Sequence, residues 1–469
     1  MAKHVDVVVL GLGTGGEDLG LRLLDSGISV VGIDSQLVGG ECPYWACVPS
    51  KMMIRASNLL QEGSRIEGVS GQAEVTPDWA QVARRIRVEA TGGWDDSVAV
   101  HRFEQRGGRF VRGRGALDGS NTVVVGDERF TATRGIVIAT GSRPAIPPIV
   151  GLADVDYWTT HDAIQVEALP SSLTVLGGGA VGCELGQAFS RFGVRVTIVE
   201  AGDRLLPREE PEAGELLASV LEREGVVVKV GRAVERVEQR SDSIEVTLEG
   251  GTDVLSEQLL VATGRSVELD GLGLGAAGID TSSGFIAVDD HLRAADGIWA
   301  IGDVTGKGMF THVALYQGSI VAAHILGEDP PPAEYHALPR ATFTDPEVGA
   351  VGMNEADARA AGLDVAVTVK QVPGTFRGWI QGGGNDGIIK LVADRAAGVL
   401  VGATAVGPHS GEVLSMLSTA VHARVPVSTL RHMIYAFPTF HGGVGEAIGA
   451  YGRGTGTVLD PDAAPLLEP

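Results

Sequence analysis

The stretch VDVVVLGLGTGGEDLGLRLLDSGISVVGIDS, Val5 to Ser35, sets the reading of the whole chain. An apolar run from Val5 to Leu10 has the length and composition of a buried strand. It enters Gly11-x-Gly13-x-x-Gly16, passes into a helical pattern, and returns through a second apolar run ending at Asp34. Each part has a physical task. Gly11 permits a tight turn, Gly13 lets the backbone approach a pyrophosphate, and Gly16 lets helix and strand pack closely. The helix N-terminus favours an anion, and Asp34 stands where an acid can meet a ribose hydroxyl. The pattern returns in SSLTVLGGGAVGCELGQAFSRFGVRVTIVEAGDRLLP, Ser171 to Pro207, with Gly177-x-Gly179-x-x-Gly182 and Glu200 in the same places. Two such units predict two dinucleotides, a flavin in one site and a nicotinamide in the other. Glu200 suits the free 2′-hydroxyl of NAD, although Arg204, the residue type that meets the extra phosphate of NADP, lies close by. Cys183, on the helix after the second turn, reads as a small packing residue.

A chain of 469 residues is too long for one ordinary core and suggests about three domains. Its 44% hydrophobic and 20% charged content is that of a globular protein, and the 67 glycines fit many tight turns. A net charge of −22 argues against nucleic acid as a partner. The start, MAKHVDVVVLGLG, has no signal-peptide pattern before its first strand, and no apolar run approaches the roughly 20 residues of a membrane span. The expectation is a cytoplasmic protein without membrane insertion. In that compartment a close cysteine pair is more often catalytic or metal-binding than structural.

Two of the three cysteines fall in GGECPYWACVPSKMM, Gly39 to Met53. Cys47 lies just before Pro49 at an expected helix start, where the dipole lowers a thiol pKa. Metal, cross-link and redox centre are all open for Cys42 and Cys47 at this point. Further on, VIATGS (Val137 to Ser142) and VATGR (Val261 to Arg265) are short apolar strands ending in small-residue turns. GIWAIGDVTGKGMFTHVALYQG, Gly297 to Gly318, reads as strand, Asp303, glycine turn and helix, and Asp303 is placed to accept hydrogen bonds from a polyol. After the proline-rich DPPPAEYHALP, the segments TFTDPEVGAVG, IIKLVA and LVGATAVG alternate like antiparallel strands, and helical stretches follow.

With these motifs in this order, the full chain resembles the flavoprotein pyridine-nucleotide disulfide oxidoreductases, the group of dihydrolipoamide dehydrogenase, glutathione reductase and mercuric reductase. The resemblance implies an α/β fold with two Rossmann-like dinucleotide-binding domains, for FAD and NAD, plus a C-terminal α+β dimerisation domain. Its boundaries would be 1–150 for FAD, 151–270 for NAD(P), 271–336 for a central domain completing the FAD site, and 337–469 for the dimer interface. Hydride would pass from NAD(P)H to flavin, and electrons on to a Cys42–Cys47 disulfide. By carry-over Cys47 is the flavin-facing thiolate, Cys42 the exchanging thiol, and Lys51 sits near the flavin paired with Glu184. Cofactor-binding positions are Gly11, Gly13, Gly16, Asp34, Lys51, Thr140, Gly141, Gly177, Gly179, Gly182, Glu200, Gly264, Arg265 and Asp303. NADH is favoured over NADPH through Glu200. No metal is expected, since zinc needs about four ligands and no other cysteine or histidine is close in sequence. A homodimer is expected.

The chain departs from the family pattern in two places. Pro43, Tyr44, Trp45 and Ala46 stand between the cysteines where relatives have mostly small residues. Near the end, in YAFPTFHGGVGEAIGAYG (Tyr435 to Gly452), Phe437 and Gly442 occupy the positions of the usual acid–base histidine and its glutamate. His441 and Glu446 show the same separation four residues later, which raises a displaced dyad as an expectation, with Tyr435 beside it. No cysteine follows Cys183, which disfavours the usual mercuric route. The leading expectation is an FAD-dependent NAD(P)H:disulfide oxidoreductase acting on a small-molecule or protein disulfide or another acceptor. The alternatives are a diaphorase passing electrons to quinone, metal or oxygen without the cysteines, and a redox-sensing flavoprotein of low turnover.

Overall fold

The computed structural model describes residues 2–451; positions 452–469, the last of the expected interface domain and including Gly452, lie outside the described residues. Contact density divides the chain into two compact units, each discontinuous in sequence. The first comprises 1–52, 83–145 and 264–334, and the second 53–82, 146–263 and 335–469.

The first unit is built on an eight-stranded sheet. Lys3–Leu10 lies at its centre, parallel to Val30–Asp34 on one side and to Glu128–Ile138 on the other. Arg109–Arg112 extends the sheet parallel to Val30–Asp34, and Ile298–Ala300 joins Glu128–Ile138 in parallel. Val7 and Val9 enter one buried cluster with Leu19, Leu23 and Phe103, while Val8 and Leu10 enter the opposite one with Ile136 and Ile138. Side chains alternate between the faces of a strand, so an unbroken apolar run is what a strand covered on both sides requires. The helix Thr14–Asp25 follows the first strand with Gly13 as its N-cap.

In the second unit, Ser172–Leu176, Arg195–Val199, Val227–Lys229 and Gln258–Val261 form a four-stranded parallel sheet. The helix Ala180–Arg191 follows the second glycine turn and buries Cys183, Leu185 and Phe189. A three-stranded antiparallel sheet, Val234–Arg240, Ser243–Leu248 and Thr252–Ser256, stands in the same unit. The C-terminal part is a five-stranded antiparallel sheet. Its strands Ile388–Asp394 and Val399–Gly407 and helices Ser410–His422 and Phe440–Ala450 share one core through Leu391, Leu414, Leu417 and Val444. Among the described residues no helix is long and apolar enough to cross a membrane.

Candidate active site

The two glycine turns have the same local geometry. Gly11 and Gly177 take φ of +95° and +109°, a region glycine enters without strain. A methyl carbon at Gly16 would stand 2.1 Å from the Gly11 carbonyl oxygen, and one at Gly182 would stand 1.9 Å from that of Gly177. Any side chain there would push helix from strand. At Gly13 and Gly179 nothing lies within 4 Å of such a carbon. The backbone is therefore bare beside each helix start, as a pyrophosphate cradle needs. Asp34 accepts from the backbone N–H of Leu12 at 2.6 Å and of Gln36 at 2.7 Å. Burial pushes its carboxyl above the ordinary range, and those two N–H groups oppose the rise. Glu200 repeats the arrangement, accepting from Gly178 at 2.6 Å and Gly202 at 2.7 Å. Arg204 is turned to Asp203 and the Pro207 carbonyl, each at 3.0 Å. Both cradles and both acids fit the dinucleotides that the sequence pattern implies.

Three remote segments meet around Arg265. Its guanidinium donates to the Ser142 hydroxyl at 2.6 Å and to the Ser142 carbonyl at 2.7 Å. It also lies 3.7 Å from Asp303 and 3.5 Å from Glu41. The Ser142 hydroxyl in turn donates to Asp303. Gly141 and Gly264 take φ of +70° and +113° beside this cluster, with Thr140 exposed at the turn. Sequence reasoning named Arg265, Asp303, Thr140, Gly141 and Gly264. It missed Ser142 and Glu41, whose roles depend on a fold that only the sheet brings about.

Glu41 is the first residue of the short helix Glu41–Tyr44, which carries Cys42, and Cys47 opens the helix Cys47–Ser64. Both cysteines carry free thiols and are partly buried. The Cys47 thiol is lowered to about 6, chiefly because the Cys42 thiol donates to it, with help from the Thr311 hydroxyl and the Lys51 charge against the cost of burial. Cys42 is pushed up for the complementary reason: its proton is held in the bond to Cys47, and burial adds to the effect. The pair thus shares one proton, with the negative charge on Cys47 at neutral pH. Trp45 stacks on Trp94, centroids 5.6 Å apart and planes 22° apart, and the Trp94 indole N–H donates to the Tyr44 carbonyl at 3.3 Å. Trp94 holds φ of +59°, strained for so large a side chain and maintained by these contacts.

Lys51 belongs to the first unit and Glu184 to the second. Glu184 is buried and accepts from the Phe343 backbone N–H at 2.8 Å. The structure does not bring His441 and Glu446 together. Both lie within the helix Phe440–Ala450, where five residues place side chains on different faces. Glu446 pairs instead with Lys370 at 2.9 Å. The His441 ring packs 4.8 Å from Tyr435, with its Nε2 buried and without a partner among the described residues. Phe437 is 72% exposed and meets Phe376 edge-on at 5.0 Å.

Residues 5–318 match the family model for pyridine nucleotide-disulphide oxidoreductases, and residues 338–448 match the dimerisation domain of that family. The dihydrolipoyl dehydrogenase of Chlorobaculum tepidum is 31% identical over 458 residues, 95% of this chain and 97% of that protein. A mercuric reductase of Bacillus cereus is 31% identical over 94% of this chain and 71% of its own. Among solved structures, the Cu(II) complex of the HOCl-induced flavoprotein disulfide reductase RclA from Escherichia coli superimposes with a TM-score of 0.84. It is 26% identical over 95% of this chain and 99% of its own. With two family models spanning nearly all of the chain and a near-full-length relative above 30% identity, the protein belongs to the pyridine nucleotide-disulphide oxidoreductase family, enzymes that use FAD and NAD(P)H.

Proposed function

We propose that the enzyme passes electrons from NADH, through bound FAD, to the Cys42–Cys47 pair and from there to an external acceptor. What carries this reading is the asymmetry of the two thiols: one proton, held on Cys42, with Cys47 kept as thiolate. The residues that would hold FAD are Gly11, Gly13, Gly16, Asp34, Lys51, Thr140, Gly141, Gly264, Arg265 and Asp303; the pyrophosphate and ribose of the nicotinamide dinucleotide would sit on Gly177, Gly179, Gly182 and Glu200. FAD supplies the two-electron link between nicotinamide and thiols. Glu200 and the engagement of Arg204 elsewhere support NADH over NADPH. The dimerisation-domain match supports a homodimer, and the sparing use of cysteine supports a cytoplasmic setting.

With a disulfide acceptor R–S–S–R′, the Cys42 proton moves to Cys47 and the Cys42 sulfur attacks. The R–S bond to Cys42 forms as R′S⁻ leaves and takes a proton from solvent. Cys47 then loses its proton, attacks the Cys42 sulfur and releases RS⁻, which takes that proton. The pair is oxidised by two electrons and the acceptor reduced by two. Anaerobic NADH should therefore raise the alkylatable thiols by two per chain, counted by mass after quenching in denaturant with iodoacetamide. No increase would contradict the reading.

Phe437 in the histidine position favours a second acceptor class, one that needs no proton on a departing thiol. RclA binds Cu(II), and a cupric acceptor satisfies the same balance. Two Cu(II) become two Cu(I), the pair closes to a disulfide, and its one proton is released. Restoring the acid–base pair by Phe437→His with Gly442→Glu should raise turnover of a low-molecular-weight disulfide by about tenfold or more, since positioned proton transfer contributes ~10²–10⁴. Cu(II) turnover should stay within about twofold of the parent, because no leaving thiol is protonated there. Steady-state assays with both acceptors check this, and equal response of the two would contradict it.

A further inference from the structure

We propose that Thr311 is a positioning residue for the cysteine pair, its hydroxyl donating to Cys47 and holding the negative charge on that sulfur. The inference rests on reading Cys42–Cys47 as the redox pair. Thr311 Oγ1 lies 3.4 Å from Cys47 Sγ, within hydrogen-bond distance for sulfur, although 264 residues separate them in sequence. Thr311 is the first residue of the helix Thr311–Ile325, and Phe310 before it is the N-cap, so the hydroxyl is not the capping group. As a β-branched residue Thr311 has few χ1 rotamers open to it in a helix, and the one it adopts sets the hydroxyl against Cys47.

The same hydroxyl reaches both sulfurs and favours the charged form of each, Cys42 as well as Cys47. The tie is broken by what else faces them. Lys51, on the same helix as Cys47, stabilises charge there, and the Cys42 thiol on the neighbouring short helix donates towards Cys47. Glu41 on that short helix is paired with Arg265. On the Thr311 helix, the His312 ring stacks on Phe310 at 5.1 Å and 17°. Donation by Thr311 thus adds to the Cys47 side of an already biased pair. It leaves Cys42, with the shared proton, as the thiol that exchanges with an acceptor.

The test uses reduced holoenzyme freed of reductant, with thiolate absorbance near 240 nm followed against pH and the Cys47→Ser signal subtracted. The parent midpoint is expected at about 6. Thr311→Val keeps the side-chain shape and removes the hydroxyl, and should raise the midpoint by about one pH unit, taking the thiolate at pH 7 from roughly nine-tenths to roughly half. Thr311→Ser should restore it to within about 0.3 of the parent. Thr311→Ala gives the same reading as Val if the Val variant folds poorly, and thermal midpoints guard against a purely structural effect. A Val or Ala midpoint within about 0.2 of the parent overturns the proposal. This signal is independent of electron flow: were the pair outside the electron path, NADH would expose no new thiols, yet the Thr311 shift would persist.

Discussion

Cys42→Ser is expected to lower NADH-driven turnover of a disulfide acceptor by ~10³-fold or more, because a covalent relay loses its route rather than one interaction. A serine hydroxyl does not attack a disulfide sulfur, and Cys47 alone has no second sulfur with which to close the cycle. The substitution changes no residue of either dinucleotide cradle, so reduction of the flavin by NADH should persist. The variant carries a further signature. With no disulfide to form, Cys47 is a free thiol from the outset; the Thr311 hydroxyl and the Lys51 charge still favour its thiolate, and a serine hydroxyl at position 42 can donate in place of the lost thiol. Retained disulfide turnover in Cys42→Ser would transfer the reaction to a route that bypasses the pair.

The second large effect falls on stability. Lys390 lies in the strand Ile388–Asp394 with its side chain 3% exposed, and its ammonium reaches Glu210 at 2.9 Å, Glu212 at 2.7 Å and Glu355 at 3.0 Å. Burial opposes the charge, but hydrogen bonds to the three carboxylates outweigh it and hold the lysine protonated well above its ordinary range. Glu210, 2% exposed, also accepts from the Glu355 backbone N–H at 2.7 Å. Removing the cation leaves a buried carboxylate facing two others. Lys390→Met should cost about 3–5 kcal/mol, the usual penalty for breaking a buried pair from one side. Adding Glu210→Leu should recover part of that loss, since an apolar replacement of both partners is often tolerated. Denaturant melts of parent, single and double variants check both points. A loss below about 1 kcal/mol in the single variant would contradict the account.

These two sites show where sequence and structure part company. The glycine turns were legible because their spacing has local causes: Gly11 must turn left-handed, and Gly16 must lie against the Gly11 carbonyl. The buried runs of the central strands were legible from composition, and the antiparallel C-terminal sheet was read from alternation in its strand segments. Lys390 was not, because IIKLVA reads as a strand with one polar residue and its counter-charges come from positions near 210 and 355. Thr311 was hidden within a motif read for Asp303, and its partner stands 264 residues away in sequence. The proposed pairing of His441 with Glu446 copied a spacing without its backbone. Once both residues fall inside one helix, a five-residue step separates their side chains. The cysteine segment announced its chemistry through resemblance, whereas the proton asymmetry between Cys42 and Cys47 needed coordinates.

The most direct test of the central claim is an anaerobic NADH titration of the purified flavoenzyme beside Cys42→Ser, followed by flavin absorbance. The parent should take up its first two electrons without bleaching the flavin and gain a long-wavelength thiolate-to-flavin band. In Cys42→Ser that band should be present before any NADH is added, and the first equivalent should bleach the flavin. Direct bleaching in both proteins, with no band in either, would contradict the account and leave the cysteines outside the path of electrons.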